Sequence, residues 1–401
     1  MESKRVLLLE NIHVKAKELF ERNNFEVETY SGSLSEAELC EIMKGVIMLG
    51  VRSKTKITQK VIDAADGLAA IGAYCIGTDQ TDLRYCSKKG IAVFNAPFSN
   101  TRSVVELAIG DIVMLVRGIF DKSSQMHKGV WNKSAKDSHE VRGKKIGILG
   151  YGKIGSQLSV LAEAMGMQVY YYDVNEKLAL GNAIKCPSLD ILLKEVDVVT
   201  LHVNGDPINK KFFGEKEFSQ MSPGSYFLNL SRGFVVDEKS LAKHIDSGKI
   251  RGAAIDVFHN EPKANGEGFS SPLINKRNVI LSPHIGGSTT EAQENIAEFV
   301  SDLLINYFNE GNTHLSVNYP DIKLARIVNA YRFIHVHKNR PGILAQINGI
   351  LSEYGVNVLG QYLKTKNDLG YVVTDVNSEL SREVIEDIKS IPFTISIRVL
   401  S

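Results

Sequence analysis

The chain of 401 residues reads as an α/β protein, with two doubly wound parallel-sheet (Rossmann-like) domains followed by a small ferredoxin-like α+β unit. Three observations carry this reading. Short apolar strands alternate with helical periods from Val6 to Phe94. A G-x-G-x-x-G turn at Gly150, Gly152 and Gly155 opens a second alternation, and a β-α-β-β-α-β pattern closes the chain. The length is too great for one ordinary core and fits two or three domains.

In chain order, strands are expected at Val6 to Leu9, Val27 to Thr29, Val46 to Val51, Ala69 to Gly72 and Ile91 to Phe94, with helices over Lys15 to Arg22 and from Ser35. A long helix follows from Thr101 to Lys128. Ser103 and Glu106 look like its capping pair, and Val104, Val105, Ala108, Ile112, Leu115 and Ile119 make it apolar on most sides, as a helix between domains or subunits would be. Gly129 and Trp131 end it, Trp131 being read as a packing or interface residue. Further strands are expected at Val196 to His202, Ser225 to Leu230, Gly252 to Asp256 and Val279 to Leu281, then a helix from Thr289 to Asn309 that returns to the first domain. The expected division is therefore 1–100 with 289–311, then 101–288, a linker at 312–329, and a terminal unit at 330–401.

Composition narrows the function classes. Hydrophobic content of 43% and charged content of 23% are those of a soluble globular chain, and no apolar run reaches membrane-spanning length. The start, MESKRVLLLE, enters a strand without a signal-peptide pattern, so a cytoplasmic location is expected. A formal net charge of +1 argues against a broad nucleic-acid surface. Cys40, Cys75, Cys86 and Cys186 are scattered and suit reduced thiols, and no ligand spacing points to a metal.

The stretch from Lys144 to Asp173 carries the first chemistry. Lys145 to Leu149 is a strand, Gly150 permits the turn, Gly152 keeps a side chain away from a pyrophosphate, and Gly155 lets helix and strand pack closely. The second strand, Gln168 to Tyr172, ends at Asp173, eighteen residues after Gly155, where a carboxylate would bond ribose hydroxyls and repel a 2′-phosphate. NAD is favoured over NADP.

In open parallel sheets, ligands lie beyond the carboxyl ends of the strands. Three side chains that follow such ends make a reaction centre: Arg232 with a planar fork for a carboxylate, Glu261 to orient and charge-stabilise an imidazole, and His284 to exchange a proton with an alcohol or ketone oxygen.

The runs GYGKIG with Asp173, NLSRGFVVDE, GAAIDVFHNEP and SPHIGGSTTEAQ together resemble the D-isomer-specific 2-hydroxyacid dehydrogenases, and the likeness extends over essentially the whole chain. The resemblance implies NAD-dependent oxidation of a D-2-hydroxy acid, with 3-phosphoglycerate and 3-phosphohydroxypyruvate as the substrate pair and Arg232, Glu261 and His284 as the active-site residues. It implies further that Lys153, Ile154, Asp173, Leu230, Ser231, Asp256, Gly286 and Gly287 contact NAD, and that Arg52, Ser53, Lys54 and Asn100 hold substrate. Lys54 stands where relatives often have arginine, and His202-Val203-Asn204 lacks the proline usual in that loop. Gly286 and Gly287 suit either a hinge or close approach to cofactor.

The terminal run HVHKNRPGIL followed by GVN resembles an ACT domain, a small amino-acid-binding regulatory module. That resemblance implies L-serine as effector, contacted by His337, Asn339 and Asn357. A homo-oligomer, a tetramer built as a dimer of dimers, is expected from the apolar crossing helix and the terminal sheet edges. Two rivals stay open at this point: a dehydrogenase of another 2-hydroxy acid such as 2-hydroxyglutarate, and a non-catalytic NAD-sensing regulator on the same fold.

Overall fold

The computed structural model describes residues 4–262 and 266–400, which fall into two compact units: residues 1–99 with 293–401, and residues 100–292. Among the described residues no helix is long and apolar enough to cross a membrane.

The first unit holds a five-stranded parallel sheet in the order Glu26–Thr29, Arg5–Leu8, Val46–Val51, Ala70–Ala73, Ala92–Asn95. Its strands other than the edge strand Glu26–Thr29 are largely apolar on both faces because both are covered. Val6 and Leu8 point into a core with Phe20, Phe94 and Leu304, while Leu7 and Leu9 point into another with Leu39, Leu49 and Ile71. Gly72 is required where a helix lies against this sheet, since a Cβ there would come within 2.8 Å of Val300 and Leu304.

A four-stranded antiparallel sheet belongs to the same unit, ordered Val358–Lys366, Leu369–Val376, Tyr331–Lys338, Thr394–Leu400. Phe333, Val372 and Val376 pack on the helices Ile343–Glu353 and Arg382–Ser390. Ile334 and Val336, on the other face, share a core with Tyr307, Tyr319 and Phe94. The segment expected as a linker is docked rather than loose. Asn318 accepts from Val93 N and donates to Ile91 O, Thr313 Oγ1 donates to Pro320 O at 2.6 Å, and Tyr319 is fully buried.

The second unit is a seven-stranded parallel sheet in the order Val279–Leu281, Ile250–Ile255, Ser225–Asn229, Val198–Leu201, Lys145–Leu149, Gln168–Tyr172, Ile184–Lys185. The strand Lys145–Leu149 sits where the order reverses, the place at which such sheets open a crevice. The expected single helix over Thr101 to Lys128 is corrected here to two, Thr101–Arg117 and Ile119–His127. Gly118 lies between them in the left-handed region, φ +61°, and its N–H closes the first helix on Met114 O and Leu115 O. The expected capping pair is corrected too. Asn100 precedes the helix, Ser103 Oγ instead meets Thr289 Oγ1 at 2.8 Å, and Glu106 pairs with Arg102. Trp131 is exposed on this chain.

Candidate active site

The glycine turn has the local form a dinucleotide needs. Gly150 has φ +91°, and a Cβ there would lie 2.5 Å from His202 O, so only glycine fits. Gly155 is pinned by Gly150 O, 2.3 Å from where its Cβ would stand. Gly152 differs, because a Cβ built on it meets nothing within 4 Å: the space above it is open, and no side chain caps the helix Lys153–Ala164 that begins there. An open helix N-terminus with room for backbone approach is a pyrophosphate cradle. Asp173 accepts from Tyr151 N and Asn175 N, both at 2.8 Å, which holds its carboxylate at the end of the second strand. Lys153 and Ile154 open the helix, and Leu230 and Ser231 lie buried after Asn229, whose Oδ1 accepts from Ser231 N and Oγ.

The reaction centre is assembled from three loops that follow strands. His284 Nδ1 lies 2.8 Å from Glu261 Oε2, and Glu261 Oε1 accepts from Phe258 N at 3.0 Å. Burial pushes the Glu261 carboxyl up, but the bonds from His284 and Phe258 and the charges of His284 and Arg232 outweigh it and hold it below the usual range. The hydrogen bond to Glu261 raises the His284 pKa against burial, with further help from the charges of Glu261 and Asp256, while Arg232 opposes. Since Glu261 is ionised, Nδ1–H donates to it and Nε2 is the nitrogen free to exchange a proton. His202 is the contrasting histidine: burial lowers its pKa to about 4, its Nε2 meets Thr200 Oγ1 at 3.0 Å, and it stays neutral.

Two contacts that sequence reasoning missed set the spacing of these loops. Gly233 lies against the backbone of Phe258, so a Cβ would come within 1.9 Å of Phe258 C. Arg232, whose Nη1 bonds Ser231 O at 2.8 Å, is thereby kept beside the Glu261 loop. Asp256, read above as a cofactor contact, spends its carboxylate on the His284 loop: Oδ1 accepts from Ser282 Oγ and Ile285 N, and Oδ2 from Gly286 N. This explains the glycine pair by packing. A Cβ on Gly286 would stand 2.9 Å from Asp256 Oδ2, and one on Gly287 2.1 Å from Asn100 Nδ2. Asn100 Oδ1 is buried without a hydrogen-bond partner.

Arg52, Ser53 and Lys54 lie in the other unit, on the loop after the strand Val46–Val51. Glu10 braces that loop by accepting from Lys54 N and Thr55 N, and Gln80 by donating to Arg52 O. In the terminal sheet His337 is buried with its ring over Gly370, while Asn339 and Asn357 are exposed at strand ends.

A nucleotide cradle at the switch point of a parallel sheet, with an Arg, a Glu and a proton-exchanging His in one lobe, defines an NAD-dependent dehydrogenase acting on a hydroxyl group. The profile of the D-isomer specific 2-hydroxyacid dehydrogenase NAD binding domain matches residues 109–286, and that of the AHAS small subunit-like ACT domain matches residues 333–396. The chain is 49% identical to a D-3-phosphoglycerate dehydrogenase of Dictyostelium discoideum over 99% of its own length and 97% of that protein. It is 47% identical to the one of Escherichia coli K12, with the same shares covered. A solved D-lactate dehydrogenase from Aquifex aeolicus, complexed with NAD and lactic acid, superimposes with a TM-score of 0.66 at 27% identity, over 79% of this chain and all of that one. The chain belongs to the D-3-phosphoglycerate dehydrogenase family, within the D-isomer-specific 2-hydroxyacid dehydrogenases. It is an oxidoreductase with NAD as cofactor.

Proposed function

We propose that this chain oxidises the C2 hydroxyl of 3-phospho-D-glycerate to 3-phosphohydroxypyruvate, and runs the reverse reduction, under control of L-serine at the ACT domain. The observation that carries the chemistry is the 2.8 Å bond from His284 Nδ1 to the carboxylate of Glu261, which leaves Nε2 as acid or base. In oxidation, neutral His284 takes the hydroxyl proton at Nε2, and the imidazolium that forms is stabilised by Glu261. In reduction, the imidazolium returns that proton to the ketone oxygen. Bound NAD would accept the hydride in oxidation, and NADH would supply it in reduction. Arg232 holds the substrate carboxylate through its planar fork, which sets the carbon to be oxidised in line. Arg52 and Lys54 take the phosphate, Ser53 and Asn100 complete the substrate's hydrogen bonds, and His337, Asn339 and Asn357 receive L-serine.

The test is NADH consumption with 3-phosphohydroxypyruvate, against 2-oxoglutarate and pyruvate, with and without L-serine. Strong preference for the phosphorylated ketoacid with suppression by serine is the expected result. Preference for 2-oxoglutarate would remove the phosphate assignment, and activity indifferent to serine would remove the effector.

A second expectation follows from the raised His284 pKa. Glu261→Gln removes the carboxylate whose hydrogen bond and charge raise it, so the imidazolium is lost at lower pH. Reduction needs the imidazolium and oxidation the neutral ring. Both the alkaline limb of the reductive profile and the acidic limb of the oxidative one therefore move to lower pH. Profiles of kcat against pH, measured in both directions, check this, and unmoved limbs would count against the role of Glu261.

A further inference from the structure

Glu238 is the first residue of the helix Glu238–Asp246, and its side chain does something the helix does not need. Asp237 already caps that helix, accepting from Lys239 N and Ser240 N. Glu238 instead reaches sideways to a different segment. Its Oε1 accepts from His259 N at 3.1 Å, and its Oε2 accepts from Ser271 Oγ at 2.6 Å. Those two residues bracket the segment that carries Glu261. One end is anchored independently, because Ser271 Oγ also accepts from Leu273 N at 3.2 Å, and Leu273 is fully buried in the core of this unit. The other end leads at once to the reaction centre: Phe258 N, one residue before His259, donates to Glu261 Oε1.

We propose that Glu238 is a positioning residue for the reaction, clamping the loop at His259 to the fixed anchor at Ser271 so that Glu261 meets His284 Nδ1 at hydrogen-bonding distance. The inference rests on the reading of Glu261 and His284 given above. The action is geometric rather than electrostatic. The largest charge effects at His284 are those of Glu261, Asp256 and Arg232. Without the clamp, His259 N loses its partner and the Glu261 bond loosens.

A carboxamide can still accept from His259 N through its oxygen and meet Ser271 Oγ through its nitrogen, whereas a methyl group can do neither. Glu238→Ala is therefore expected to lower kcat by about tenfold, misplacement of a catalytic group being costly in rate. It should also shift the alkaline limb of the reductive pH profile downward, in the direction of Glu261→Gln but by less. Glu238→Gln restores most of the rate and the limb. Ser271→Ala, which removes one end of the clamp without touching the helix terminus, moves the limb the same way by a smaller amount.

The experiment is the pH dependence of kcat for these variants and Glu261→Gln in the full-length protein, with thermal melting alongside. If Glu261→Gln moves the limb and Glu238→Ala lowers only the melting temperature, the positioning role is overturned and the active-site reading stands. If Glu238→Gln behaves like Glu238→Ala, hydrogen bonding is not what Glu238 supplies, and the proposal falls. If Glu261→Gln itself leaves the limb in place, the active-site reading fails and takes this inference with it.

Discussion

His284→Asn is expected to lower kcat by about 10²- to 10⁴-fold, the usual contribution of a positioned general acid–base. Asparagine is the informative replacement. His284 occupies the left-handed region, φ +55°, which asparagine tolerates better than most residues, so the loop backbone is not strained by the change. The Asn amide can donate toward Glu261 as the imidazole does, leaving that carboxylate with a partner. What it lacks is a group that takes or gives a proton near neutral pH. Because proton transfer belongs to the transition state alone, kcat and kcat/KM should fall together while the KM for NAD changes little. Steady-state kinetics in both directions check this. A loss confined to KM would mean that His284 binds substrate and does not transfer its proton. His202→Asn makes the matched comparison: that ring is held neutral with a pKa of about 4, so its loss should not reproduce the pattern.

What was legible in the chain was whatever depends on local backbone geometry or on strand ends. The glycine turn could be read because each glycine has one local duty. So could the pairing of Glu261 with His284, since both follow strands of one parallel sheet, Ile250–Ile255 and Val279–Leu281, whose carboxyl ends are adjacent. The break at Gly118 was not, because glycine alone does not mark a helix end. Gly110 lies inside the same helix without interrupting it. The difference is that Arg117-Gly118 is a basic last turn followed by glycine, a stop signal that an uninterrupted apolar pattern outvoted. Ser103 failed as a cap because a tertiary partner, Thr289, claims its hydroxyl. The segment after Gly311 reads as a linker from its Asn and Pro content. That content instead supplies part-buried side-chain bonds such as those of Asn318 to Ile91 O and Val93 N, which composition does not distinguish from a solvated loop. The duty of Asp256 in holding the Ser282–Gly286 backbone, and the contact of Gly233 with Phe258, join residues that only the fold brings together.

Arg332→Ala is expected to destabilise the unit of residues 1–99 and 293–401 by about 3–5 kcal/mol, the range for breaking one side of a buried ion pair. Arg332 is 1% exposed and is among the largest fully buried side chains of the described residues. Its fork meets Asp375 with Nε to Oδ1 at 2.7 Å and Nη2 to Oδ2 at 2.8 Å. The same guanidinium donates to Glu310 O, Leu324 O and Ala325 O, so one side chain ties the terminal sheet to the end of the helix Thr290–Glu310 and to the segment that follows it. Removing it leaves a buried carboxylate and three backbone carbonyls short of a donor. Lysine is no substitute, as one ammonium cannot span the carboxylate and the carbonyls from a single point. The double change Arg332→Met with Asp375→Val separates the two contributions. If the pair itself carried the stability, the double variant would recover nearly all of it, as apolar replacements of buried ion pairs often do. The three carbonyls remain unsatisfied in that variant, so recovery is expected to be only partial. Chemical denaturation of the parent, Arg332→Met, Asp375→Val and the double variant measures the coupling, and a double variant as stable as the parent would show that the carbonyl bonds contribute nothing.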